Sequence, residues 1–274
     1  KESGLAILLI THDLGVVASM ADSVGVMYAG EMVERADRES FFNNTQHPYS
    51  RKLFQSVPSE AKRKTKLAVI PGSVPSLAEN FKGCRFNSRC DLAQSICKNE
   101  NPPWVEVSAS QAARCHLLNE AHSLSTPQHL QANHADRAAD TGAESDVLLQ
   151  VENLKIHFPI YKGILRKING YVYAVDGVSF ELRKGSTLAI VGESGCGKTT
   201  VGKGVLQLLK PTAGSVKFEQ KDLQQMDAKN LRQARRHFQI IFQDPFSSMN
   251  PRMMVRDIIE EGMLAQKIFA GKEQ

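Results

Sequence analysis

The sequence predicts an α/β fold made of two pieces, with a small cysteine-containing segment between them. Near both ends of the 274-residue chain, apolar runs of strand length are followed by apolar residues at helical spacing. A glycine-rich segment, residues 192–199, stands between one such strand and one such helix. Between the two pieces, prolines, glycines and four cysteines leave little room for long periodic elements.

The composition is that of a globular protein, with 42% hydrophobic and 23% charged residues. The net charge of +5 is scattered and only 7% of residues are aromatic, which argues against a nucleic-acid partner. The longest apolar run, residues 5–10, is far shorter than the roughly 18 residues of a membrane-spanning helix. The chain begins Lys-Glu-Ser-Gly without a signal peptide, so we expect a piece of a longer cytoplasmic protein whose five cysteines are free thiols.

Residues 1–58 have the pattern of the end of an α/β domain. The run 5–10 predicts a buried parallel strand, and Thr11-His12-Asp13 follows it. Apolar residues at positions 14, 17, 18 and 21 then predict a helix. Residues 24–28 predict a second strand, followed by a turn, and residues 38–43 predict a short helix.

Residues 59–122 predict a small loop-rich module that contains Cys84, Cys90, Cys97 and Cys115. Such a module needs something other than a large core to hold it, and a metal centre is one solution. Thiolates are soft ligands that suit iron–sulfur clusters or zinc, although the spacing differs from the paired Cys-x2-Cys of zinc ribbons. Residues 123–146 are polar, with few large apolar side chains, and predict a linker.

Residues 147–274 predict the beginning of a second α/β domain. Val178, Phe180 and Leu182 alternate with polar residues, as in a half-buried strand, and residues 186–191 form an apolar strand. Apolar residues at 201, 205, 206 and 209 predict a helix that ends before Pro211.

The glycine-rich segment between this strand and this helix predicts a phosphate-binding loop. Its glycines allow a tight turn in which backbone N–H groups point at phosphate oxygens, and the helix dipole adds positive potential. Lys198 would neutralise the β- and γ-phosphates, and the Thr199 hydroxyl would ligate Mg²⁺. A glycine-rich turn with a fortuitous lysine is the alternative. We interpret Cys196 as a packing residue without a catalytic role. The predicted nucleotide-binding residues are Gly192, Glu193, Ser194, Gly195, Cys196, Gly197, Lys198, Thr199 and Thr200.

With residues 240–251, this loop resembles the ATP-binding subunits of ABC transporters, in the oligopeptide/dipeptide (glutathione-type) importer branch. The resemblance implies a P-loop NTPase fold. It also implies that Gln243 reaches the Mg²⁺ and the attacking water and couples the site to the membrane subunits. By the same resemblance, Phe158 would stack on the adenine, with a core aromatic as the alternative.

Other segments are similar to further parts of the same family. Residues 9–14 resemble the switch loop, which implies that His12 is catalytic and contacts the γ-phosphate and the attacking water. Residues 27–34 resemble the end of the ATPase domain, and residues 46–53 resemble the start of the peptide-importer C-terminal extension. The four cysteines resemble the pattern of that extension, which implies a [4Fe–4S] cluster; zinc and four unligated cysteines are the alternatives.

The order of these segments is unusual for one ATPase domain of this family. His12 precedes the phosphate loop, and neither a Leu-Ser-Gly-Gly-Gln signature nor an acidic Walker B strand is present in the sequence. We therefore expect an internal fragment of a tandem two-ATPase protein, with circular permutation as the alternative. His12 would serve the first domain's site, and Lys198, Thr199 and Gln243 the second's. We expect the chain alone to be inactive and to bind nucleotide weakly.

The resemblance implies that the parent protein couples ATP binding and hydrolysis to the uptake of di- or oligopeptides across the inner membrane. Its partners would be membrane-spanning permease subunits and a second ATPase domain in cis or in trans, at the cytoplasmic face of the membrane. One alternative is a metal-bound interaction module with a vestigial nucleotide site. Another is a non-transport ABC ATPase, against which the residues around His47 and the four cysteines argue.

Overall fold

The computed structural model describes residues 4–56, 70–118, 147–164, 166–242 and 249–266, in two compact units, 1–224 and 225–274. The predicted linker at 123–146 and Gln243 lie outside the described residues. None of the helices in the described ranges is both long enough and apolar enough to cross a membrane.

The strands that the structure describes are β1 (Ile7–Ile10), β2 (Ser23–Tyr28), β3 (Glu31–Asp37), β4 (Trp104–Ser108), β5 (Gln111–Arg114), β6 (Val147–Lys162), β7 (Lys167–Arg183), β8 (Thr187–Val191), β9 (Ala213–Phe218) and β10 (Lys221–Asp222). The helices are α1 (Leu14–Met20), α2 (Arg38–Asn43), α3 (Pro48–Ser56), α4 (Ile96–Asn99), α5 (Lys198–Val205), α6 (Ala228–Ala234) and α7 (Val255–Gln266). Helices α6 and α7 belong to the second unit, where Arg232 Nη2 donates to the carbonyl oxygen of Ala265 at 2.7 Å.

A six-stranded sheet in the order β1-β8-β2-β3-β5-β4 forms the centre of the first unit. Strands β1, β8 and β2 are parallel to one another, and the remaining pairs are antiparallel. All five residues of β8 are buried, as expected of a central parallel strand with a continuous apolar run.

This sheet joins residues that the sequence assigns to two different ATPase domains. Ile10 of β1 is the register partner of Ile190 of β8, and Val26 of β2 is the register partner of Val191. Both pieces therefore share one sheet in this chain, while the assignment of His12 and Lys198 to two separate sites stays a prediction. The physical reason for the shared sheet is that β8 is apolar on both faces and needs a hydrogen-bonded strand on each side, which β1 and β2 supply.

A four-stranded antiparallel sheet in the order β10-β9-β6-β7 forms the second layer of this unit. It contains a long hairpin of β6 and β7, with 16 and 17 residues. The sequence alternation at 178–182 identifies only the end of β7, because several register shifts along the hairpin interrupt the period of two.

Local signals place several helices correctly. The Asp13 side chain accepts hydrogen bonds from the N–H groups of Gly15 and Val16, so α1 begins where the sequence predicts a helix. Asp37 caps α2 in the same way. Helix α5 ends at Val205, several residues before Pro211, because Gln207 has a left-handed φ of 53° that stops the helix.

The sequence predicts a loop-rich module without a large core, but in the structure the cysteine-containing module also contains strands and shares the main core. Its strands β4 and β5 extend the six-stranded sheet at the edge of β3, and Ala112 and Ala113 are fully buried there. Phe86 packs edge-on against Tyr28 with 5.1 Å between ring centroids, within the same hydrophobic core as Tyr49. Through Phe86 the module packs into the main hydrophobic core, and burial of these aromatic rings stabilises it.

Candidate functional site: a phosphate loop and a cysteine cavity

The segment 192–199 forms a loop between β8 and α5, as predicted. Gly192 has φ 149° and Gly197 has φ 105°, both in the left-handed region that favours glycine. A Cβ on Gly192 would overlap the carbonyl oxygen of Met27, and one on Gly197 would overlap that of Ala174. The loop therefore needs glycine at both positions, because of φ and because neighbouring backbone approaches closely.

The loop presents donors that suit a phosphate. Lys198 is 8% exposed, and its Nζ donates to the carbonyl oxygens of Gly192 at 2.8 Å and Glu193 at 2.9 Å. The backbone N–H groups of Gly195, Gly197 and Thr199 have no acceptor in the part of the chain that the structure describes. Unpaired N–H groups at a helix start beside an enclosed ammonium are the features of an anion site, so the residues fit a nucleotide's phosphates.

The remaining loop residues differ in exposure. Ser194, Gly195 and Thr199 are exposed and Thr200 is partly buried, whereas Cys196 is fully buried. Burial raises the pKa of the Cys196 thiol, which lies 3.6 Å from Lys198 Nζ. A buried thiol with a raised pKa is a poor nucleophile, in agreement with a packing role.

Residues from outside the motif hold the start of the loop, and sequence reasoning missed them. The Glu193 N–H donates to Tyr49 Oη at 2.8 Å. The Arg89 guanidinium forms a two-fold ion pair with the Glu193 carboxylate, with Nη1–Oε2 at 2.7 Å and Nη2–Oε1 at 3.0 Å. No local sequence motif marks Tyr49 or Arg89. Only their contacts with Glu193, which is distant in sequence, show that they hold the loop.

The predicted switch residue His12 follows β1 at the edge of the sheet where the phosphate loop follows β8. The Thr11 N–H donates to the Ile190 carbonyl oxygen at 3.2 Å, and His12 is exposed. Because carboxyl ends of parallel strands meet at one sheet edge, His12 and the loop face the same region.

The predicted adenine-stacking residue lies on β6, in the second sheet. Phe158 is 39% exposed and is the register partner of Val172 on β7. Two residues further along β7, the carbonyl oxygen of Ala174 lies against Gly197 of the loop. Phe158 is thus a partly exposed aromatic on the strand next to the one that touches the loop, and not a fully buried core residue.

A buried charge cluster connects β7 with the cysteine module. Arg85 pairs with Asp176 at 2.5 Å and with Glu31 at 3.1 Å, and donates to the Ala29 carbonyl oxygen at 2.6 Å. Burial raises the pKa of Asp176, but hydrogen bonds from Arg85 and His157 and the Arg85 charge outweigh it and hold that pKa below its usual value. Asp176 is therefore ionised and ties the two sheets together.

The four predicted metal ligands are brought together around one cavity. Cys84, Cys90, Cys97 and Cys115 line a space of about 20 Å³ together with aromatic and aliphatic side chains. Burial, together with the neighbouring cysteines, raises the pKa of Cys84 to about 12 and that of Cys115 to about 11. The chemistry and enclosure of this donor set fit a thiolate-bound metal or cluster.

The spacing of these donors is less favourable than their chemistry. Among the residues that the structure describes, no three Cys, His, Asp or Glu side chains are arranged so that they could hold one metal ion. The cysteines would have to rearrange around a metal. The metal prediction therefore remains a prediction.

Family models match two regions of the chain. Residues 33–97 match the model described as "Oligopeptide/dipeptide transporter, C-terminal region", which includes three of the four cysteines. Residues 175–272 match the "ABC transporter" model, which includes the phosphate loop.

Curated relatives match nearly the whole chain. The oligopeptide transport ATP-binding protein OppD of Mycobacterium tuberculosis is 39% identical over 96% of this chain and 43% of its own length. The glutathione import ATP-binding protein GsiA of Escherichia coli K12 is 31% identical over 100% of this chain and 36% of its own length. The chain thus spans less than half of either relative. A solved structure of CbiO1 from Clostridium perfringens, part of the ABC transporter complex CbiONQ, matches at 24% identity with a TM-score of 0.30, over 42% of this chain and 47% of that one.

The phosphate loop follows a buried parallel strand and precedes a helix, as a P-loop NTPase fold requires, and the ABC transporter model matches the same residues. The peptide-transporter model matches the region that contributes Tyr49 and Arg89 to this loop. The chain is thus similar, in one region, to the ABC transporter family model and, in another, to the oligopeptide/dipeptide transporter C-terminal region, and its relatives OppD and GsiA are ATP-binding proteins.

Proposed function

We propose that this chain is part of the ATP-binding protein of an ABC importer that couples ATP binding and hydrolysis to the uptake of di- or oligopeptides or of glutathione. The observation that carries the proposal is the phosphate loop, with its enclosed Lys198 and the unpaired N–H groups of Gly195, Gly197 and Thr199. The names of the OppD and GsiA relatives support the substrate class.

Each predicted site residue has a role in this proposal. Lys198 leaves its two loop carbonyls and binds the β- and γ-phosphates, and the exposed Thr199 hydroxyl ligates Mg²⁺. Gln243 completes the Mg²⁺ site, and Phe158 stacks on the adenine. His12 contacts the γ-phosphate and the attacking water of the first domain's site, whereas Lys198, Thr199 and Gln243 serve the second domain's site.

The two ATPase pieces come, in this proposal, from two homologous domains of a longer tandem protein. The order of the motifs supports this, as do relatives of which the chain covers 43% or less. If the domains are homologous, the end of one can complete the sheet that the beginning of the other needs, which explains how β1 and β2 flank β8. The chain still lacks a signature and a Walker B strand, so we expect no ATP turnover.

The partners in this proposal are membrane-spanning permease subunits and a second ATPase domain, which places the protein on the cytoplasmic face of the inner membrane. The cysteine cavity holds a [4Fe–4S] cluster through Cys84, Cys90, Cys97 and Cys115, with zinc as the alternative metal. Such a metal would stabilise the module without taking part in ATP hydrolysis.

A second candidate function is a metal-bound interaction module whose nucleotide site is vestigial. The observation that favours it is the convergence of the four cysteines on one cavity, which does not depend on the phosphate loop. Nucleotide binding separates the two candidates, because only the first requires it.

Titration of the purified chain with a fluorescent ATP analogue and Mg²⁺ tests the proposal. We expect saturable binding that Lys198→Ala weakens by about 100-fold, because an enclosed cation that pairs with phosphate contributes about 3 kcal/mol. Lys203→Ala, on the same helix but outside the motif, is the matched control and is expected to bind normally. Equal binding by both variants, or measurable Lys198-dependent ATP turnover by this chain, would contradict the proposal in its present form.

A further inference from the structure

The Arg89 guanidinium is the most completely paired cation near the phosphate loop. It is 4% exposed at the side chain, and its donors reach the Glu193 carboxylate, Tyr28 Oη and three backbone carbonyls. The carbonyls belong to Ile70, Pro71 and Gly72, at 3.3, 2.8 and 3.4 Å. A bidentate pair of this kind fixes the orientation of both partners.

Glu193 is the loop residue that this arginine holds. It follows Gly192 directly, its carbonyl oxygen accepts from Lys198 Nζ, and its N–H donates to Tyr49. Its carboxylate is a negative charge within a loop built to receive a polyphosphate. Like charges at close range repel, and the repulsion is strong where burial limits solvent screening. An unpaired Glu193 would therefore oppose the ligand that the rest of the loop attracts.

We propose that Arg89 is a positioning residue for nucleotide binding: it neutralises Glu193 and holds the first turn of the phosphate loop, although it lies in the cysteine module. This inference deepens the proposed function and rests on it. Arg89 acts through Glu193 and does not itself touch the nucleotide.

The same turn of the chain serves the cysteine cavity. Arg89 ends the 3-10 turn Asn87–Arg89, and the next residue, Cys90, lines the cavity. The Arg89 carbonyl oxygen accepts from Lys52 Nζ at 3.1 Å, and Lys52 also pairs with Asp91 at 2.8 Å. These two contacts of Lys52 anchor the turn, so the Arg89 side chain meets the phosphate loop at a fixed position.

A double-mutant cycle on the full 274-residue chain tests this inference, with the fluorescent ATP analogue as the probe. We expect Arg89→Met to weaken binding by about tenfold, because it leaves the Glu193 charge facing the phosphates. In the E193Q background the same change is expected to alter affinity by no more than about twofold, since no carboxylate then needs a partner. Methionine keeps much of the buried volume, and the double variant buries no unpaired charge.

Arg85→Met is the matched control. Arg85 belongs to the same module, is as buried as Arg89 and is paired with carboxylates, but it contacts Asp176 and Glu31 and not the loop. We expect its effect on affinity to be the same with and without E193Q. Thermal unfolding of all variants separates a loss of fold from a loss of binding.

The outcomes distinguish this inference from the proposed function. If Arg89→Met weakens nucleotide affinity by the same factor with and without E193Q, the positioning role is overturned. A large loss of affinity in Lys198→Ala in the same assay leaves the proposed function intact. No binding by the unchanged chain overturns both. If Arg89→Met alone does not fold, recovery of folding and of binding in the R89M/E193Q variant supports the role, and failure of that variant to bind nucleotide overturns it.

Discussion

The phosphate loop and the cysteine cavity are both candidate binding sites, and they differ in what holds their donors in place. The loop's donors are mostly backbone N–H groups between a buried strand and a helix, and the φ angles of Gly192 and Gly197 set their direction. The cavity's donors are four side chains, three from separate loops and Cys97 from helix α4, around a space of about 20 Å³. The loop is preorganised for its ligand, whereas the cavity has the right atoms without the spacing for a metal.

This difference in preorganisation determines which terms contribute to the binding free energy at each site. A preorganised site loses little entropy on binding, so its affinity depends on charge and on the exact backbone path. In a site that has to close around a metal, part of the binding free energy is used to move the coordinating side chains. The bound metal then stabilises the surrounding fold.

The largest change in the free energy of unfolding is expected when a metal or cluster binds in the cysteine cavity. Anaerobic treatment with iron and sulfide is expected to give visible thiolate-to-iron absorbance and to raise the free energy of unfolding by about 4 kcal/mol at saturating ligand. Serine at any of positions 84, 90, 97 or 115 should abolish both effects. Cys196→Ser is the control, because that cysteine is buried in the phosphate loop and away from the cavity. Colourless zinc uptake with the same cysteine dependence would favour zinc, and loss of uptake in Cys196→Ser alone would contradict the assignment.

The next effect concerns the backbone path of the loop. Gly192→Ala should lower the free energy of unfolding by about 3 kcal/mol and abolish nucleotide binding, because its Cβ meets the Met27 carbonyl oxygen. Gly195 also has a positive φ, of 81°, but open space lies around it, so we expect Gly195→Ala to cost only about 1 kcal/mol. Urea unfolding followed by circular dichroism measures both. Equal losses would show that strain in φ, and not the close approach, decides the glycine at 192.

The smallest effect tests the contact between the C-terminal extension and the loop. Tyr49→Phe removes the acceptor of the Glu193 N–H and should cost about 1 kcal/mol of stability. Tyr28→Phe is the control: it removes an acceptor from Arg89 Nη1, which keeps Glu193 Oε2, so its cost should be smaller. Chemical unfolding of the two variants side by side measures the difference, and a larger loss for Tyr28→Phe would contradict the role assigned to Tyr49.

Local sequence signals predicted several elements of this fold. The apolar run before His12, the start of α1 after Asp13 and the glycine loop between β8 and α5 all lie where the sequence places them. These signals work because strand period, helix capping and glycine φ depend on neighbours a few residues apart. The long β6–β7 hairpin was missed, since bulges interrupt its alternation.

The sequence by itself therefore determined the phosphate loop, the residue types around the cysteine cavity and the order of the segments. Only the tertiary structure decided which strands flank β8, and that Arg89 and Tyr49 reach Glu193 across 104 and 144 residues. The physical reason is that periodicity and backbone preference are local, whereas a buried strand or carboxylate takes its partner from whatever the packed chain brings beside it.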